Sequence, residues 1–144
     1  DKWVPLYKQA SELPNVNYIG YRPNQFILDN LQNYHIFAYP SIWEETSCIS
    51  AIECMSAGLY SIVTNYGALY ETCSEFPIYV QYLEDYKLLA KSFATAIDIA
   101  ADTLHLNVIQ NNLDMQQEFY KRFYSWEKQA DTWSNFLRGV TNVK

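Results

Sequence analysis

Glu45 and Glu53 stand eight positions apart in residues 40–58, a segment rich in apolar and small residues. Glu53 is the only charged residue between Glu45 and Glu71. A carboxylate in such surroundings needs a polar partner, because burying an unpaired charge costs several kcal/mol. A ligand could supply that partner. The chemistry open to such carboxylates is acceptance of hydrogen bonds from a ligand's hydroxyl groups.

The elements around the pair read as strand, loop, helix and strand. Residues 34–39 form a short, mostly apolar and aromatic run suited to a strand buried on both faces, and Pro40-Ser41 stops it. A helix is expected to begin near Thr46 or Ser47, whose hydroxyls suit an N-cap, and to end at Ala57 with Gly58 as a left-handed stop. Residues 61–64 follow as the next buried strand. Connections this short make a βαβ unit with parallel strands, whose ligands bind beyond the strands' carboxyl ends. That edge carries residues 41–47 and 65–68, so both loops face one crevice.

Backbone amides at the expected helix start, near Thr46, Ser47 and Cys48, would point into the crevice, where the helix dipole favours an anion such as phosphate. Glu53 would lie about 9 Å from that start at 1.5 Å per residue. A ribose attached to a diphosphate would reach it, and a carboxylate accepts from both hydroxyls of a cis-diol. Glu45, before the helix, would sit at the other end of the diphosphate, beside a transferred group. Plainer readings stand beside these: Glu45 as a favourable charge before a helix, Glu53 as a solvated residue, and Cys48 as inert packing.

These residues resemble a family. Residues 16–20, 34–41, 45–58 and 66–71 are similar to the C-terminal, donor-binding domain of GT-B glycosyltransferases of family 4, the group 1 transferases. The glutamate pair followed by Glu53-Cys54-Met55-Ser56-Ala57-Gly58 is the most specific part, with Cys54 where alanine is usual. Arg122-Phe123-Tyr124-Ser125-Trp126 resembles the signature before the family's last helix. The resemblance implies Glu53 as the ribose-binding residue and Glu45 as the catalytic one, contacting the donor sugar or supporting its charge. It further implies Gly67 and Ala68 as a small-residue loop whose amides meet the diphosphate, with Glu71 closing the motif. Thr46, Ser47 and Cys48 complete the expected donor site.

The implied fold is α/β, a Rossmann-like parallel sheet with flanking helices, plus extra C-terminal helices. The implied activity is transfer of a sugar, with retention, from a nucleotide-diphosphate sugar to a glycan, lipid or other small-molecule acceptor, with no metal and no cofactor. The alternative is a degenerate transferase domain that binds a nucleotide or protein without catalysis. Residues 1–144 would form a nucleotide-sugar-binding C-terminal domain that lacks its first strands and the N-terminal acceptor domain, and would be inactive alone. Arg22 is the only basic residue between Lys8 and Lys87, so backbone amides would have to hold the diphosphate.

Composition narrows the class. The formal net charge of −6 gives nucleic acid no basic stripe to bind. Three cysteines without paired metal spacing point to a reducing compartment, hence a cytoplasmic protein or one peripheral to a membrane. Thirteen tyrosines scattered along the chain argue for core and interface use rather than a carbohydrate-binding surface.

The flanking segments read as packing elements. Trp3, Leu6, Tyr7 and Ala10 share a helical face, residues 15–21 a strand, and residues 24–32 a short helix. Residues 77–82 form the last of four expected strands. A helix then turns Leu89, Phe93, Ala96, Ile97 and Ala100 inward. Another spans 107–123. The last begins at Ser125 with Trp126, Ala130, Trp133 and Leu137 on one face, Trp126 and Trp133 serving as packing, and stops at Gly139.

Overall fold

The computed structural model describes residues 2–141. It divides into two compact units, one within Asp1–Asn30 and the other within Leu31–Lys144. The first holds two helices, α1 (Val4–Ser11) and α2 (Asn24–Asn30). Pro5 falls in the first turn of α1, where its missing N–H costs nothing. Residues 15–21 are not a strand. Their apolar alternation suits one, but a strand exists only with a ladder partner, and none lies beside them among the described residues. Instead, the Tyr18 ring stacks on Tyr7 of α1, with centroids 5.5 Å apart and planes at 9°.

The second unit is a three-layer α/β/α sandwich. After a 3-10 turn, Leu31–Asn33, come β1 (Ile36–Tyr39), α3 (Ile49–Ser56), β2 (Tyr60–Asn65), α4 (Leu69–Cys73) and β3 (Ile78–Gln81). Three helices follow: α5 (Tyr86–Thr103), α6 (Asn107–Tyr124) and α7 (Trp126–Thr141). The sheet has three parallel strands in the order β1-β2-β3, with Ile36 opposite Tyr60 and Ile62 opposite Ile78. Four strands were expected, and the difference is the unpaired segment 15–21.

The period-2 pleat of β2 divides its side chains between two cores. Tyr60 and Ile62 join Val80 and the α5 residues Leu89, Phe93, Ala96 and Ala100 on one face. Val63 joins Cys48, Ala51 and Met55 of the α3 region, Leu69 and Cys73 of α4, and Tyr120 of α6 on the other. β1 is an edge strand with Ala38 exposed, so it is not buried on both faces as its run suggested. Asp85 caps α5 by accepting from the Lys87 and Leu88 amides. Ile97 stays 37 % exposed on that helix, at the margin of its apolar stripe.

Helix α6 is pinned to α3 by Gln116, which is fully buried and donates from Nε2 to Met55 O and Leu59 O, both at 3.1 Å. Gly58, at φ +86°, ends α3 in the left-handed conformation read from the sequence. Two readings of α7 fail. Gly139 does not stop the helix, which continues to Thr141, since one internal glycine costs only about 1 kcal/mol. Its apolar face is not packed either: Trp126 is 88 % and Trp133 61 % exposed. Helical spacing creates such a face but does not supply an element to cover it.

Candidate functional site

The carboxyl ends of β1 and β2 emit two loops, and the structure locks them together. Ser41, buried at the start of the first loop, receives the Trp43 N–H on its Oγ at 3.2 Å, and its carbonyl accepts from Thr64 Oγ1 at 2.7 Å. The Glu45 N–H returns to Trp43 O at 3.0 Å, while Glu45 O accepts the Ala68 N–H at 2.8 Å. Gly67 makes this closeness possible. It lies at φ +57°, and a Cβ there would stand 2.7 Å from Glu45 N and 2.9 Å from Glu45 O.

Glu45 is half-buried, and the Tyr39 hydroxyl donates to its Oε1 at 2.5 Å. Burial first, and then this hydrogen bond, push the Tyr39 phenol up to about 12, so it remains a donor under ordinary conditions. Glu45, Gly67 and Ala68 are thus brought together, as two loops facing one crevice require. The Ala68 amide, however, is spent on Glu45 O and is not directed at a ligand.

Helix α3 begins at Ile49, two to three residues beyond the expected start near Thr46 or Ser47, with Cys48 as the extended N-cap residue. Thr46 and Ser47 lie in the exposed loop. The start is later because the residue before the first turn packs its side chain into the core: Cys48 is 4 % exposed, whereas both hydroxyls face out. The first α3 hydrogen bond runs from Ile52 N–H to Cys48 O. The amides of Ile49, Ser50 and Ala51 are therefore the first-turn donors, with those of Ser50 and Ala51 near the Cys48 sulfur, a weak acceptor.

Burial raises the Cys48 thiol pKa, and it outweighs the pull of those amides, so Cys48 is packing rather than a reactive thiolate. Glu53 is half-buried, four residues into α3 and off the face formed by Ala51, Cys54 and Met55. Glu71 is exposed in the first turn of α4.

Four residues that the motif did not single out complete this edge. Tyr39 holds Glu45. Ile42, Trp43 and Glu44, across from Tyr66, line an open depression. Glu44 and Trp43 immediately precede Glu45, so an acidic and an aromatic residue in a strand-end loop were the available signal.

The buried groups carry a pH signature. Burial lifts the Cys54 and Cys73 thiols from 9.0 to about 12, and Tyr39 from 10.0 to about 12. Each group holds its proton more tightly when folded, so the unfolded chain ionises first as pH rises. Stability from this source is whole below pH 9.0 and is lost as pH climbs towards about 12. Thermal melts followed by circular dichroism should show Tm falling progressively across that window; a Tm constant to its upper end would contradict the assignment.

Among the described residues, no helix is long and apolar enough to cross a membrane, and no cluster of three or more His, Cys, Asp or Glu could hold a metal ion. Comparison with curated proteins and with solved structures gave no match. The family model described as "Glycosyl transferases group 1" matches residues 4–112, well over half of the chain and inclusive of both site loops and Glu53. This chain belongs to the group 1 glycosyl transferases.

Proposed function

We propose that the chain is the donor-binding part of a longer transferase that moves a sugar, with retention, from a nucleotide-diphosphate sugar to an acceptor. The observation that carries this reading is the placing of Glu45. A half-buried carboxylate is fixed by the Tyr39 hydroxyl at the carboxyl edge of a parallel sheet, where α/β sheets bind ligands. The amides of the exposed residues Ile49 and Ser50 offer donors to a diphosphate, supported by the helix dipole. Glu53 lies about 6 Å along α3 from Ile49 at 1.5 Å per residue, within reach of the attached ribose. In this role its two carboxylate oxygens accept from the cis-diol, and Glu45 faces the developing charge on the sugar.

The reading is tested at Glu53. In the longer transferase, Glu53→Ala is expected to weaken donor binding by about 1.5–3 kcal/mol, the range for hydrogen bonds to a charged group, and Glu53→Gln by less. Calorimetry with the nucleotide sugar measures both. Unchanged affinity of a folded Glu53→Ala protein would remove the ribose assignment.

A further inference from the structure

Glu45 is fixed twice, and the two fixings are separable. Its backbone belongs to the clasp between the loops, with its N–H on Trp43 O at 3.0 Å and its carbonyl on the Ala68 N–H at 2.8 Å. Its carboxylate is held by another element: the Tyr39 hydroxyl, at the end of β1, donates to Oε1 at 2.5 Å. That hydroxyl takes its place from the core rather than from the loop. The Tyr39 ring stacks on Phe37, two residues back on the same face of β1, with centroids 5.6 Å apart and planes at 12°. Both rings pack against the buried cluster that joins the α3 region to α4 and α6. The Ser41 hydroxyl and the Cys48 thiol lie within hydrogen-bonding reach of the Tyr39 hydroxyl and confine it further.

The kind of donor matters as much as its place. A lysine or arginine in this position would hold the carboxylate but would also cancel the negative charge that positive charge on a sugar must meet. Tyr39 holds it while staying neutral, because burial, and then the bond to Glu45, push its phenol up to about 12. Among the described residues Glu45 forms no ion pair, and the salt bridge that is present joins Lys8 to Glu12 in the other unit. A hydroxyl-to-carboxylate bond is short and charge-assisted, so it orients a flexible side chain without neutralising it. Because the bond is made at Oε1, Oε2 is the oxygen turned over to the ligand side.

We infer that Tyr39 is a positioning residue for the transfer, its hydroxyl holding the Glu45 carboxylate in one orientation with its charge intact. This rests on the role proposed for Glu45. A charge that is already oriented needs no reorganisation as positive charge develops, whereas a free glutamate side chain must be ordered in every turnover. The contribution of Tyr39 therefore falls on kcat and not on donor binding.

The test is a double-mutant cycle in the longer transferase, comparing the parent with Tyr39→Phe, Glu45→Ala and the two combined. Turnover is read as release of UDP or GDP from UDP-glucose, UDP-N-acetylglucosamine and GDP-mannose with water as acceptor, the donor released fastest by the parent being used for the variants. Donor affinity is read by calorimetry. Tyr39→Phe keeps the ring, its stack on Phe37 and the backbone clasp, and removes only the hydroxyl. It is expected to lower kcat about tenfold, the equivalent of about 1.4 kcal/mol, with KM and donor affinity changed by less than about twofold. In the Glu45→Ala background the same substitution should change kcat by less than about twofold, because a residue that acts through Glu45 has nothing left to hold.

Parent-like kcat in Tyr39→Phe, when Glu45→Ala has lost turnover, overturns this inference and leaves the role of Glu45 standing. An equal loss from Tyr39→Phe with and without Glu45 also overturns it, since Tyr39 then supports the fold and not the carboxylate. If Glu45→Ala turns over the donor at the parent rate, or the parent releases neither nucleotide, the role proposed for Glu45 fails and the inference fails with it.

Discussion

Glu45→Gln in the longer transferase is expected to lower kcat by roughly ten- to a thousand-fold, with a smaller change in donor affinity. The substitution keeps the shape of the side chain and an oxygen that can accept from the Tyr39 hydroxyl, so the loop has no reason to move. What it removes is the negative charge. A charge that meets positive charge only as the glycosidic bond breaks stabilises the transition state more than the bound donor, so its loss falls on turnover. Steady-state kinetics with saturating acceptor separates the two parameters. Full activity of the Glu45→Gln enzyme would take Glu45 out of the mechanism.

Gly67→Ala is expected to destabilise the chain by about 2–4 kcal/mol, combining a left-handed backbone at a non-glycine residue with a steric clash. The clash has no flexible partner to absorb it. The new Cβ would stand 2.7 Å from Glu45 N, 2.9 Å from Glu45 O and 3.0 Å from Glu44 Cα, all of them backbone atoms. Relief requires the two loops to separate, which breaks the 2.8 Å bond from Ala68 N–H to Glu45 O and displaces both Glu44 and Glu45. Urea unfolding reads the loss of stability. In the longer transferase the same variant should lose at least as much turnover as Glu45→Gln. An unchanged unfolding midpoint with full turnover would contradict the clasp between the loops.

The sheet was legible where local signals coincide. Pro40-Ser41 after an apolar run, Gly58 after a helical segment, and the apolar runs around Val63 and Val80 locate β1, α3, β2 and β3 within a few residues. Residues 15–21 carry the same alternation as a strand, but pairing is a property of two segments, and no pattern within one of them reveals a missing neighbour. The α7 face failed for a related reason: Trp126 and Trp133 share a stripe by helical geometry, whereas their burial depends on what lies across it.

At the candidate site, the eight-residue spacing singled out Glu45 and Glu53 for the proposed roles. It did not reveal Tyr39 as the partner of Glu45, because a strand end and a turning loop meet at a separation that matches neither the helical nor the strand period. The amides of Ile49, Ser50 and Ala51 replaced those of Thr46, Ser47 and Cys48 as the helix-start donors because the Cys48 side chain sits in the core. A buried thiol outweighed two exposed hydroxyls in setting where the helix begins.

In the proposed function, the carboxyl edge of the sheet binds a nucleotide-diphosphate sugar through the start of α3. The most direct measurement is a titration of the isotope-labelled chain with UDP and GDP, following every backbone amide. The amides of Ile49 and Ser50 should shift most, Glu53 should follow, and Glu53→Ala should weaken the whole response. Shifts confined to residues away from this edge, or none at these amides with either nucleotide at millimolar concentration, would contradict the claim.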